Sequence, residues 1–71
     1  MNNAQVAERI KLKCKEKNIS IAAMLRACDL SSTMIYEMER RNKTPRLDNM
    51  AKIAVFLDCS LDYLAGINNK S

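Results

Sequence analysis

Apolar residues recur along this chain at helical rather than strand spacing. Val6, Ile10 and Cys14 stand at i, i+4 and i+8, which predicts a first helix over residues 4–17 with one buried stripe. Lys and Glu fill most of the opposite face. Leu12 falls off the stripe, and Lys13 falls close to it, where its stem can lie along the core edge. Asn18-Ile19-Ser20 breaks the pattern: Asn18 suits the position after a helix end, and Ser20 suits an N-cap. Ile21, Met24, Leu25 and Cys28 then form an i, i+3, i+4, i+7 stripe, predicting a second helix over 21–28. Asp29-Leu30 is the expected turn, with Leu30 plugging the core.

Ser31 is the expected cap of a third helix over 32–40. Ile35 and Met38 face inward there with Met34 beside them, while Ser32, Thr33, Tyr36, Glu37 and Arg40 face outward. Residues 41–46 read as a loop, because Pro45 biases Thr44 toward extended backbone and stops the preceding helix. A fourth helix follows over 47–57, with Leu47, Met50, Ala51, Ala54 and Leu57 on one face and Ile53 and Phe56 widening it. Ser60 caps a short fifth helix over 61–65, and Gly66 ends it. Residues 1–67 are thus expected to form one domain and 68–71 a polar tail. No internal repeat or low-complexity linker is present.

Composition supports an all-α fold. The 71 residues include one Gly, one Pro and 4% aromatics, and they are rich in strong helix formers. A net charge of +4 is unevenly placed: residues 1–19 carry +3, 20–39 carry −2, 40–46 carry +4 and 47–71 carry −1. The cluster at 40–46 (Arg40, Arg41, Lys43, Arg46) contains no acid. Such clusters suit a polyanion, although a solvated helix face or loop has the same composition. Cys14, Cys28 and Cys59 are odd in number, widely spaced and without a CxxC, unlike a disulfide scaffold. A structural zinc site takes about four ligands, and three Cys with no His do not supply them. No metal or other cofactor is implied, and the cysteines read as small buried hydrophobes. No segment has the length of a membrane span and no signal peptide is evident, so a cytoplasmic protein without membrane contact is expected.

The order of features within 20–41 is more specific than any one of them. A Ser-capped short helix leads through a turn to a second helix with small polar residues on its first outward turn, and a basic loop follows at once. A recognition helix has this layout: its front enters the major groove, and nearby cations hold phosphates. The segments SIAAMLRACDLSSTMIYEMERRNKTP (20–45) and LDNMAKIAVFLDCSLDYLAG (47–66) resemble the lambda-repressor-like, Cro/C1-type helix-turn-helix regulators, the XRE family. The resemblance covers about residues 5–66 and implies a compact five-helix DNA-binding domain with its helix-turn-helix at 20–41.

What the resemblance implies for the site is base contact from Ser32, Thr33, Tyr36 and Glu37. It implies phosphate contact from Arg40, Arg41 and Lys43, with Ser31 a further candidate. Arg46 joins them by its place in the basic cluster. Tyr36 can alternatively serve as a half-buried cover. Glu37 can accept from cytosine N4, but an intrahelical pair with Arg40 or Arg41 is the favoured expectation. Several positions depart from the family pattern. Ile21 stands where Gln often helps hold a phosphate, Asp29 and Arg41 stand where Gly is frequent, and Arg46 replaces a small N-cap. Cys14 replaces an Arg that pairs with the acid matching Glu39, leaving that acid to find another partner or stay solvated.

A sequence-specific DNA-binding regulator follows as the leading expectation: a repressor that binds a palindromic operator as a homodimer. One short helix reads too few base pairs to be selective, and paired half-sites solve this. Leu61, Tyr63, Leu64 and Ile67 offer more apolar surface than one face of the last helix buries, which places the expected dimer interface there. A protein-interaction module on the same fold, antitoxin-like or an anti-repressor partner, is the alternative, because Ser and Thr are undemanding readers and Glu37 is anionic. An enzyme is not expected: the chain has no His, no phosphate-cradling Gly-rich loop and no Cys–base pair. No small-molecule substrate is evident.

Overall fold

A computed structural model describes residues 2–67. The tail expected at 68–71 lies outside the described residues. Five helices follow one another: α1 (Asn3–Glu16), α2 (Ile21–Ala27), α3 (Met34–Arg40), α4 (Leu47–Leu57) and α5 (Leu61–Ala65). No strand occurs among the described residues, so the fold is all-α.

Three of the five helix starts, those of α1, α2 and α5, follow from side-chain caps. The Ser20 hydroxyl accepts from the Ala23 amide at 3.0 Å, and the Ser60 hydroxyl accepts from the Tyr63 amide at 3.0 Å. Asn2 does the same for α1, accepting from the Gln5 amide at 3.0 Å. The bounds of α4 and α5 are those expected from the sequence. The third helix is shorter than expected: Ser31 does not cap it, and Ser32 and Thr33 lie in a turn closed by the Met34 amide on the Ser31 carbonyl at 3.2 Å. The Ser31 hydroxyl instead accepts from the Thr33 amide at 3.3 Å and bonds the Thr33 hydroxyl at 2.9 Å. Such local side-chain bonding holds a turn in place of a further helical turn.

The core gathers Val6, Ala7, Ile10 and Cys14 of α1 with Met24 and Leu25 of α2, Ile35 and Met38 of α3, Met50, Ile53, Ala54 and Leu57 of α4, and Leu64 of α5. α1 packs against each of the other four helices. Leu47 and Ala51 depart from the expected inward face of α4: both are exposed, Leu47 at 73%. The buried stripe of α4 runs instead through Met50, Ile53, Ala54 and Leu57, which tilts its contact surface away from Leu47. Lys13 is 8% exposed; its ammonium lies 3.4 Å from Glu16 Oε1 and 5.1 Å from the centre of the Tyr63 ring.

Candidate nucleic-acid interface

The turn before α3, the outer face of α3 and the loop after it form one continuous surface. Ser31, Ser32 and Thr33 are exposed at its front, and Tyr36 is 54% exposed, which decides against a half-buried cover. Arg40, Arg41, Lys43 and Arg46 are exposed behind them. Ser31, Glu37, Lys43 and Arg46 share the rim of one cavity of about 180 Å³, walled by Leu30, Met34, Met38 and Pro45. The fold thus brings those four together, while Ser32, Tyr36, Arg40 and Arg41 stay outside the cavity lining.

Glu37 corrects an expectation. Its carboxylate pairs with Lys43 at 3.9 Å rather than with Arg40 or Arg41 on its own helix. The backbone explains the choice: the Arg41 and Lys43 amides both donate to the Glu37 carbonyl at 3.1 Å, folding the chain back over that residue. Arg46 likewise has a partner, Asp48, with its Nε 3.4 Å from Oδ1. Lys43, Arg46 and Asp48 are exposed and Glu37 is half-buried, so each pair contributes little. Among the described residues neither Arg40 nor Arg41 has a carboxylate within 4.0 Å. The two acids and four cations leave the surface with a net positive charge.

Behind this surface, Glu39 accepts from Lys11 of α1 at 2.5 Å, which ties α3 to α1. Lys11 therefore fills the place of the Arg that Cys14 replaces. Residues 11 and 14 are three apart and share a face of the helix, so either position can deliver a cation there. Cys14 itself is buried, with its thiol pushed up from its ordinary value of 9.0 by burial and then by neighbouring Cys28. Asp29 stands in for the turn glycine at φ 56°, a left-handed conformation that Asp and Asn tolerate better than other side chains.

Two residues that the sequence reading missed support the surface. Asn2 caps α1, a role that an Asn before an apolar periodic run signals in advance. Asn3 is buried and donates to Asn42 and Thr44 in the loop, 39 and 41 residues away. No local pattern announces so distant a contact.

The four residues expected at a dimer interface separate in the structure. Leu64 is fully buried in the core and is therefore not available to a partner. Tyr63 is half-buried against Lys13, and Leu61 is half-buried against the core. Ile67 is 77% exposed. Ile67 and Leu61 line a groove of about 340 Å³ with Pro45, Leu47, Met50 and Ala65.

Among the described residues, no helix is long and apolar enough to cross a membrane, and no group of three or more His, Cys, Asp and Glu is arranged to hold a metal ion. A family model described as helix-turn-helix matches residues 10–64, more than half of the chain. No curated protein and no solved structure gives a significant match. The family match spans α2, α3 and the basic loop together with α4, which packs against α2, and most of α5. The chain belongs to the Cro/C1-type, XRE-like helix-turn-helix family, a family of regulators rather than enzymes, and is a transcription regulator that binds double-stranded DNA.

Proposed function

We propose that the chain is a sequence-specific repressor that binds a palindromic operator as a homodimer. One observation carries this reading: Ser32, Thr33 and Tyr36 are exposed at the front of α3, with Arg40, Arg41, Lys43 and Arg46 flanking them. Small residues at the front admit close approach to base edges, and the cations behind them supply phosphate contacts that set register. Occupancy of an operator is enough to repress.

The proposed dimer surface is the groove between the start of α4 and α5. Its exposed members, Leu47 and Ile67, are large and apolar, and Pro45 of the basic loop lies at its edge. Two copies meeting there bring their basic loops close to the dyad, as a pair of adjacent half-sites requires.

The test is titration of a mixed-sequence and a selected duplex across salt. Log affinity is expected to fall with log salt at a slope of about −0.9 per phosphate neutralised. Arg41→Ala with Lys43→Ala is expected to weaken binding to all sequences and to reduce the slope magnitude by about one per cation lost. Unchanged affinity and slope overturn the phosphate role of the loop.

A second reading, a protein-interaction module on this fold, draws on an exposed apolar strip. Ala51, Val55 and Phe56 of α4 line a shallow groove with Ala27, outside both surfaces described above. Absent or salt-independent DNA binding favours that reading.

A further inference from the structure

Four of the five helices end the same way. A left-handed residue (Asn18, Asp29, Asp58 or Gly66) is followed by Ile19, Leu30, Cys59 or Ile67. The amide of that following residue donates to the carbonyl five positions back: Ile19 to Cys14, Leu30 to Leu25, Cys59 to Ala54, Ile67 to Asp62. Ile19, Leu30 and Cys59 also pack against the core, which locks each of those ends.

α3 ends differently. Asn42 is left-handed at φ 50°, but the residue after it is Lys43, exposed and charged. The Lys43 amide reaches back six positions, to Glu37, and no apolar anchor follows. In place of that anchor stands a side chain from the other end of the sequence. Asn3 Nδ2 lies 3.0 Å from the Asn42 carbonyl, 3.2 Å from Asn42 Oδ1 and 3.0 Å from Thr44 Oγ1. A backbone carbonyl can only accept, so the amide must present its nitrogen to the loop. Asn3 is 4% exposed, and its Oδ1 is buried without a partner. An unpaired buried acceptor lowers stability, and the position bears that cost while its nitrogen holds the loop.

We infer that Asn3 is a positioning residue for DNA binding: it fixes the turn at Asn42 and thereby presets Arg41 and Lys43, its two neighbours in the chain, to meet phosphate. The inference rests on the phosphate role proposed for the loop. Without Asn3 the end of α3 keeps only its Glu37 carbonyl bonds, so the two cations must be ordered at the moment of binding and one of their two phosphate contacts is left unmade. That ordering costs affinity.

The experiment compares wild type, Asn3→Ala, Asn3→Asp and Thr44→Val. Hydrogen exchange at the Lys43 amide is measured without DNA, and duplex affinity is measured across salt. Thr44→Val removes one acceptor at an exposed position without touching α1, so it remains informative if the Asn3 variants fold poorly. The expected result is faster Lys43 exchange and roughly tenfold weaker binding for Asn3→Ala. Its salt slope should shrink by about one. Asn3→Asp, which sets a carboxylate against the Asn42 backbone carbonyl, a group that can only accept, should match or exceed that loss, and Thr44→Val should show a smaller one. A purely structural role lowers melting temperature yet leaves the slope of the folded protein unchanged, and that result overturns the inference. Wild-type protein without salt-dependent binding overturns the DNA reading itself. Wild-type binding that Asn3→Ala and Thr44→Val both reproduce overturns the role of Asn3 alone.

Discussion

Cys14, Cys28 and Cys59 are free thiols: Cys14 is buried on α1, Cys28 is buried at the end of α2, and Cys59 is half-buried in the turn between α4 and α5. Burial is the first cause that raises each of their pKa values, so all three are neutral near neutral pH. The folded value lies above the unfolded one. The folded chain therefore holds these protons more tightly, and stability is lost as pH climbs past the ordinary thiol value of 9.0. Thermal melts from neutral pH upward should show a decline above that value that is shallower in Cys14→Ala, although the variant starts from a lower melting temperature. An equal decline in both proteins rejects a contribution from Cys14. Lys11 and Lys13 carry a different lesson. The periodicity places Lys13 close to the stripe and assigns Lys11 nothing, but it is the approach of Glu39 to Lys11 and of Tyr63 to Lys13 that gives each its role.

Helix ends were legible element by element, because Ser, Asn, Asp and Gly carry local chemistry that acts within a few residues. Ser20, Ser60, Asn18 and Gly66 hold the positions that chemistry implies. α3 was the exception at both ends. Its start is delayed by Ser31 bonding to Thr33, and its finish depends on Asn3. Gly66 offers a direct test of this level of description. Its φ of 83° is left-handed, and an added Cβ would also meet the Arg9 guanidinium at 2.9 Å. Arg9 can swing aside, so the backbone strain dominates. Gly66→Ala should cost about 1 kcal/mol in denaturant unfolding, and Gly66→Asn less, because Asn accepts this conformation more readily. Equal stability of all three proteins would show that the end of α5 is frayed in solution.

At the scale of the whole molecule, α1 is the frame on which α3 and the basic loop rest. Lys11 ties it to α3 through Glu39, and Asn3 ties it to the basic loop. The same scale separates core from interface in the last helix. Leu64→Ala should destabilise the monomer by roughly 2–5 kcal/mol, as deletion of a buried side chain does. Leu47→Ser with Ile67→Ser should change monomer stability by only about 0.5 kcal/mol per site. It should instead shift sedimentation from dimer to monomer. A wild type that stays monomeric at high concentration and on operator DNA would remove the dimer from the proposal.

The sequence by itself determined that the chain is helical, where the helices fall within a residue or two, and that a basic loop follows the recognition helix. Those properties depend on periodicity, capping and charge, each of which operates over a few positions. Only the tertiary structure decided that Leu64 is core while Leu47 is surface, that Glu37 turns to Lys43, and that Asn3 holds the loop. The first depends on the angle at which one helix meets another, the second on the loop folding back over the Glu37 carbonyl, and the third on residues brought together from about forty positions apart; helical periodicity encodes none of them.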